Sequence, residues 1–227
     1  MEVAPARPAA TVILVRDAPQ GCEILLVRRS ARLDFHGGAW VFPGGRVDTV
    51  DYQRARSEDP LEAAKHAAVR EAWEEAGVRI RPTDLRTFSR WVTPVNVPKR
   101  FDTWFFLAPA SPEAVSTDGG EISDHRWLAP TAALEAHHRG EIELPAPTFV
   151  TITQLGRPTS VAELLASVAG RAVECFEPEL YFVAGGACTV YQGDVAYGNG
   201  DLERAGPRHR LWMLDSGWRY ERSEETG

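Results

Sequence analysis

Between Asp59 and Gly77 the chain carries a helix whose two ends are written in its residues. Asp59 is a good N-cap, Pro60 suits the first helical position, and Glu62 stands where it completes an Asp-x-x-Glu capping box. Gly77 is placed to take the left-handed conformation that closes a helix, so the element runs from about Pro60 to Ala76. At about 100° per residue, Glu71, Glu74 and Glu75 fall within an arc of roughly 100°. Each like-charge pair at this spacing costs a few tenths of a kcal/mol. The charges also oppose the helix dipole, which disfavours anions at the C-terminal end. A sequence that keeps all three uses them together, and hard divalent cations are the usual reason. Away from the glutamates, Val69, Trp73 and Ala76 read as the core stripe. Ala64, Ala67 and Ala68 leave little bulk beside the carboxylates.

The bulk figures narrow the class. At 227 residues with 44% apolar content, the chain suits one large domain, or one domain with a substantial extension. Its 25 basic and 32 acidic residues give a net charge of −7. That excludes a general nucleic-acid or anionic-membrane binder, since such partners need basic patches. A phosphate-bearing substrate still fits if metal ions screen it. Cys22, Cys175 and Cys188 are too few and too far apart for a disulfide framework or a zinc motif. Met1–Ala10 has no signal pattern, no apolar run reaches membrane-span length, and Glu224–Gly227 is not a targeting address. The expectation is a soluble, cytoplasmic protein.

Along the chain, Thr11–Arg16 and Glu23–Val27 read as strands joined by the turn Asp17–Gly21. Arg28–Gly38 is polar, and Ala39–Phe42 is a short strand closed by Pro43-Gly44-Gly45. Leu85–Val92 and Arg100–Leu107 are further strands around the loop Thr93–Lys99. A strand over Ile122–Leu128 and a helix over Pro130–Arg139 follow, which together give a mixed α/β layer structure. From Gly140 the texture changes. Thr148–Leu155 and Ser160–Val168 look helical, and Val173–Phe176, Tyr181–Val183, Cys188–Tyr191 and Leu211–Leu214 look like strands before Trp218-Arg219-Tyr220. The expected division is a core over 1–139 and an extension over 140–227. The extension is too short for a separate core and is expected to pack on the first.

Arg70-Glu71-Ala72-Trp73-Glu74-Glu75-Ala76-Gly77-Val78 resembles the signature of the Nudix hydrolase family, with Ala72 and Val78 in its aliphatic slots. Glu62 stands eight residues before Arg70, where the signature also has a glutamate. The resemblance covers roughly Thr11 to Arg139. One departure is plain: sixteen residues, Arg46 to Leu61, separate Gly45 from Glu62, more than the family's box holds, and the extra ones must loop out. Phe42-Pro43-Gly44-Gly45-Arg46-Val47-Asp48, the interrupted box, and Trp91-Val92-Thr93-Pro94 with Arg100-Phe101-Asp102-Thr103 resemble the coenzyme A diphosphatase branch.

The resemblance implies an α/β/α sandwich with a mixed sheet, here carrying a helical and β-rich C-terminal extension. It implies hydrolysis of a pyrophosphate bond with Mg²⁺ or Mn²⁺, which screen the linkage and lower the pKa of a bound water. Glu71, Glu74 and Glu75 are then metal ligands, and Glu71 or Glu75 orients the attacking water. Glu121, on a loop before a strand, is the candidate for a fourth ligand or general base. The implied substrate is a small nucleotide-type molecule, coenzyme A or an acyl derivative first. ADP-ribose, dinucleotides and nucleotide sugars stand as the enzymatic alternative, and a catalytically silent nucleotide sensor as the other class. The extension is expected to shape the pocket or a homodimer interface.

Other residues carry plainer readings. Arg70 pairs with a glutamate and orients it. Glu62 lies opposite Glu71 on the wheel and serves the cap. Gly44 and Gly45 permit a tight turn near the metals. Arg28, Arg29, Arg46, Lys99 and Arg100 are phosphate candidates that read individually as surface, as does the cluster Arg208-His209-Arg210. Trp91, Phe101 and Trp104 could stack on a base but read first as core. His36, His66, His125, His137 and His138 have no metal spacing.

Overall fold

The computed structural model describes residues 4–31, 37–110, 115–116 and 120–223. The polar stretch around His36 and the terminal Glu224–Gly227 lie in part or wholly outside them. The first two strands are β1 (Arg7–Ala18) and β2 (Gly21–Arg29), followed by β3 (Trp40–Val41) and β4 (Gly44–Arg46). Helices α1 (Thr49–Ala55) and α2 (Pro60–Ala76) come next, then β5 (Arg86–Val92), β6 (Phe101–Pro109), β7 (Ile122–Leu128) and α3 (Pro130–His138). The last third holds α4 (Ala146–Leu155), α5 (Val161–Val168), β8 (Glu174–Phe176), β9 (Glu179–Val183), β10 (Gly186–Val190), β11 (His209–Leu214) and β12 (Gly217–Arg222). Among the described residues no helix is long and apolar enough to cross a membrane.

The main sheet is mixed, in the order β3-β2-β1-β6-β5-β8, with β4 on β1 and β7 on β2. Alternation along each strand sends successive side chains to opposite faces. Ile13, Val15, Ile24, Leu26, Phe105 and Leu107 pack against α3, α4 and α5. Val12, Leu14, Leu25, Val27, Phe106 and Ala108 pack against α2. The expected α/β/α sandwich is the observed one. A second sheet, β12-β11-β10-β9, forms within the extension.

One edge of β1 runs parallel to β6 from Arg7 to Val15. Its other edge is divided, pairing with β4 at Ala9–Thr11 and with β2 at Val15–Ala18. The sheet opens between those two partners. The extension does more than lie on a finished core: β8 adds to the sheet as a parallel neighbour of β5.

Four local expectations are corrected. Asp59 does cap α2, accepting from the Leu61 N–H at 2.9 Å, but there is no box with Glu62. The Asp59 N–H donates to Ser57 Oγ instead, and Glu62 pairs with Lys65. The core stripe of α2 is alanine, with Ala64, Ala67, Ala68, Ala72 and Ala76 all buried, whereas Trp73 is 50% exposed beneath Arg79. Bulk does not mark the buried face here, because a helix seated close on a sheet is matched there by its smallest side chains. The segment after Gly45 is not a loop; it folds into α1 against α2. Finally, His209 and Arg210 are buried rather than superficial, because Asp194 takes the Arg210 guanidinium through two bonds of 2.7 and 2.6 Å.

Candidate active site

The site is built where the last turns of α2 meet β4. The alanine stripe lets α2 approach the sheet, and glycine backbone lets the sheet approach the carboxylates. Gly44 pairs with Thr11 in β1, and its N–H donates to Glu75 Oε2 at 2.9 Å. A Cβ at Gly44 would collide with the Ala10 carbonyl, and one at Gly45 would overlap the Glu71 carboxylate. The two glycines are therefore strand residues chosen for close approach, not the tight turn the sequence suggested.

A cavity of about 750 Å³ opens here, and Glu71, Glu74, Glu75 and Glu121 all line it. The structure thus brings together the four carboxylates singled out from the sequence, with Arg70 beside them and Arg29 and Arg46 also in the wall. Glu75 is 5% exposed, and burial pushes its carboxyl up to about 8 against the opposing Gly44 hydrogen bond. Glu71 is also raised by burial, with Arg70 pulling the other way. A positive charge beside either carboxyl favours its ionised form. Glu74 is half exposed.

Arg70 is the organiser. One guanidinium nitrogen donates to Glu71 at 2.7 Å and to Glu74 at 3.0 Å. The rest of the group spans Asp51, with bonds of 3.2 and 3.0 Å, and reaches the Arg46 carbonyl at 2.9 Å. Burial alone would lower its pKa, but these bonds raise it, so it is permanently charged. Asp51 is fully buried and also accepts the Asp48 N–H at 2.9 Å. Sequence reasoning missed Asp51 by treating its segment as a loop. The available signal was Asp48-x-x-Asp51, an N-cap with an acid three residues on, of the same form as the one noticed at Asp59.

Among the described residues no three acidic, histidine or cysteine side chains are already converged as a metal cage. The donor set nonetheless fits a hard divalent ion. It consists of carboxylate oxygens only, and burial raises two of them, Glu75 to about 8 and Glu71 against the pull of Arg70, so a cation bound there would favour their charged forms.

The family model described as NUDIX domain matches residues 5–146. The chain belongs to the NUDIX family. It is 34% identical over 119 residues to the human protein named acyl-coenzyme A diphosphatase NUDT19, covering 50% of this chain and 32% of that protein. The Gallus gallus protein of the same name is 24% identical over 300 aligned positions, covering 84% of this chain and 79% of that one. A Nudix hydrolase structure from Alicyclobacillus acidocaldarius superposes with a TM-score of 0.66 at 25% identity, covering 75% of this chain and all of that one. The chain spans 61%, 32% and 64% of the length of three of its curated relatives.

Within this Nudix fold, the remaining candidates sort by position. Phe101 lines the acidic cavity, but Trp91 is buried with its ring stacked on Phe176 at 4.0 Å, and Trp104 sits under Arg90. Arg28 donates to the Gly38 carbonyl, and Arg100 donates to the Thr93 and Ala4 carbonyls. Neither lines the cavity, nor does the exposed Lys99.

Proposed function

We propose that this protein is a divalent-metal-dependent Nudix pyrophosphohydrolase acting on a nucleoside diphosphate-linked compound, coenzyme A or an acyl-coenzyme A first among them. The convergence of Glu71, Glu74, Glu75 and Glu121 on one cavity carries the reading. Mg²⁺ or Mn²⁺ held there would screen the pyrophosphate and acidify a bound water. Glu71 or Glu75 takes the proton of the attacking water, whose oxygen bonds to phosphorus as the bridging P–O bond breaks. The Gly44 N–H fixes one oxygen of Glu75, and Arg70, held by Asp51, positions Glu71 and Glu74. Arg29 and Arg46 are placed to meet substrate phosphates. Residues 1–139 supply this chemistry, with 140–227 as the extension that shapes the pocket or a homodimer contact. The name of the NUDT19 relatives supports the substrate. From coenzyme A the products are a phosphopantetheine and 3′,5′-ADP.

The test is Mg²⁺-dependent turnover of coenzyme A, ADP-ribose, dinucleotides and nucleotide sugars, with products resolved by mass. Glu74→Gln should cut turnover about a hundred-fold or more while leaving the fold intact. Tight binding of a ligand without turnover of any compound in the panel would replace the enzyme by a sensor.

A further inference from the structure

Beside the acidic cavity lies a second of about 510 Å³, and the two share Thr11, Arg29, Gly44, Phe101 and Thr103. Their chemistry differs sharply. Arg29, at the shared edge, is the one charged residue in the second wall among the described residues. Trp91, Phe105 and Val41 come from the sheet, Leu180 and Met213 from the extension's own strands, and Tyr191 from the residue that follows β10. Pro94, Pro145, Pro147 and Pro178 also line it and offer no N–H donor. Among the described residues this wall has no amide or carboxylate side chain; apart from Arg29 its polar side chains are the hydroxyls of Thr11, Thr93, Thr103, Thr148, Thr189 and Tyr191.

We propose that this chamber receives an uncharged, flexible, mostly apolar arm attached to the substrate's diphosphate, and that Leu180 and Met213 set how much of the arm is accepted. The inference rests on the reading of the acidic cavity as the diphosphate site. The divided edge of β1 is what makes both ends reachable by one molecule. Thr11 and Gly44, paired across β1 and β4, stand at the border, so a diphosphate held by the carboxylate side emerges directly into the apolar side. Leu180 and Met213 are both only partly buried; Met213 also packs against the main core, so its variant is read only where a melt shows it folded. The extension thereby selects the substrate while α2 and β4 hold the reacting bond.

The probe is a series of adenosine diphosphate esters of straight-chain alcohols, from two to ten carbons. Their affinities are measured by calorimetry with Mg²⁺ on the intact Glu74→Gln chain, and their cleavage is measured on the unsubstituted protein. Binding should tighten by about two- to four-fold per methylene, the worth of burying one in an apolar site, up to a break point where the chamber is full. Leu180→Trp should move the break point to shorter chains and Met213→Ala to longer ones. A flat series, or a break point unmoved in either folded variant, overturns the proposal. The two readings separate cleanly. Cleavage of every ester with no dependence on length removes the chamber and keeps the hydrolase, whereas a length-dependent series without cleavage removes the hydrolase and keeps the chamber.

Discussion

Glu75→Gln should make the metal-free protein more stable while disabling it. The Glu75 carboxyl is raised from its ordinary 4.5 to about 8 by burial, so the folded chain holds this proton more tightly than the unfolded chain does. Its contribution to stability is complete below pH 4.5 and is lost as pH rises through 8. A tenfold change in proton affinity is about 1.4 kcal/mol. Because the unfolded chain releases this proton first, the stability lost relative to low pH is on the order of 3 kcal/mol at pH 7 and approaches about 5 kcal/mol above pH 8. Glutamine keeps the oxygen that accepts from Gly44 and removes the charge. For a chain of this size each kcal/mol is about 2–4 °C in Tm, so the variant should melt roughly 10 °C higher than its parent at pH 9 in chelator. The two should converge below pH 5. Millimolar Mg²⁺ should raise the parent's Tm and leave the variant's unmoved. Equal melting temperatures at pH 9, or a parent whose stability is flat between pH 5 and 9, would refute the argument from burial.

Three further outcomes follow from the same geometry. Asp51→Asn frees the guanidinium of Arg70 to settle on Glu71 and Glu74, and loss of such a positioning partner should weaken metal binding about ten- to a hundred-fold; a Mg²⁺ titration of turnover reads this, with partial rescue at high Mg²⁺. Gly45→Ala drives a methyl group into the Glu71 carboxylate and should lower turnover by about a hundred-fold with a near-native melt, whereas unchanged turnover would dissolve the close approach. Trp73→Ser should change stability by less than about 1 kcal/mol, the scale of a surface substitution, in denaturant melts. A loss of 3 kcal/mol or more would restore Trp73 to the core.

The sequence was most legible where the signal is local and covalent. Pro60 and Gly77 mark the ends of α2 because proline's ring suits the first helical turn and glycine takes a left-handed φ, here 67°, without a Cβ penalty. Glu71, Glu74 and Glu75 were legible because their spacing and residue types belong to a long mixed motif, whereas Glu121 was picked out from its place on a loop before a strand. The identity of α2's buried face was not, since it depends on how near the sheet lies, and periodicity carries no distance. Helix α1 escaped because its end is Arg56 at φ 50°, a left-handed position without the usual glycine. The Asp51–Arg70 pair and the β5–β8 pairing join residues remote in sequence, so no local pattern announces either.

Strand β8 has a consequence for how this molecule can be taken apart. Because it closes the β5 edge and lays Phe176 against Trp91, a chain cut at 139 would keep every residue of the glutamate helix and still be unfinished. Its sheet would end in an open row of backbone donors and acceptors, the template on which chains pair and precipitate. Completion of the main sheet thus depends on a strand beyond residue 139, and that strand ties the segment bearing Leu180 and Met213 to the segment bearing the glutamates.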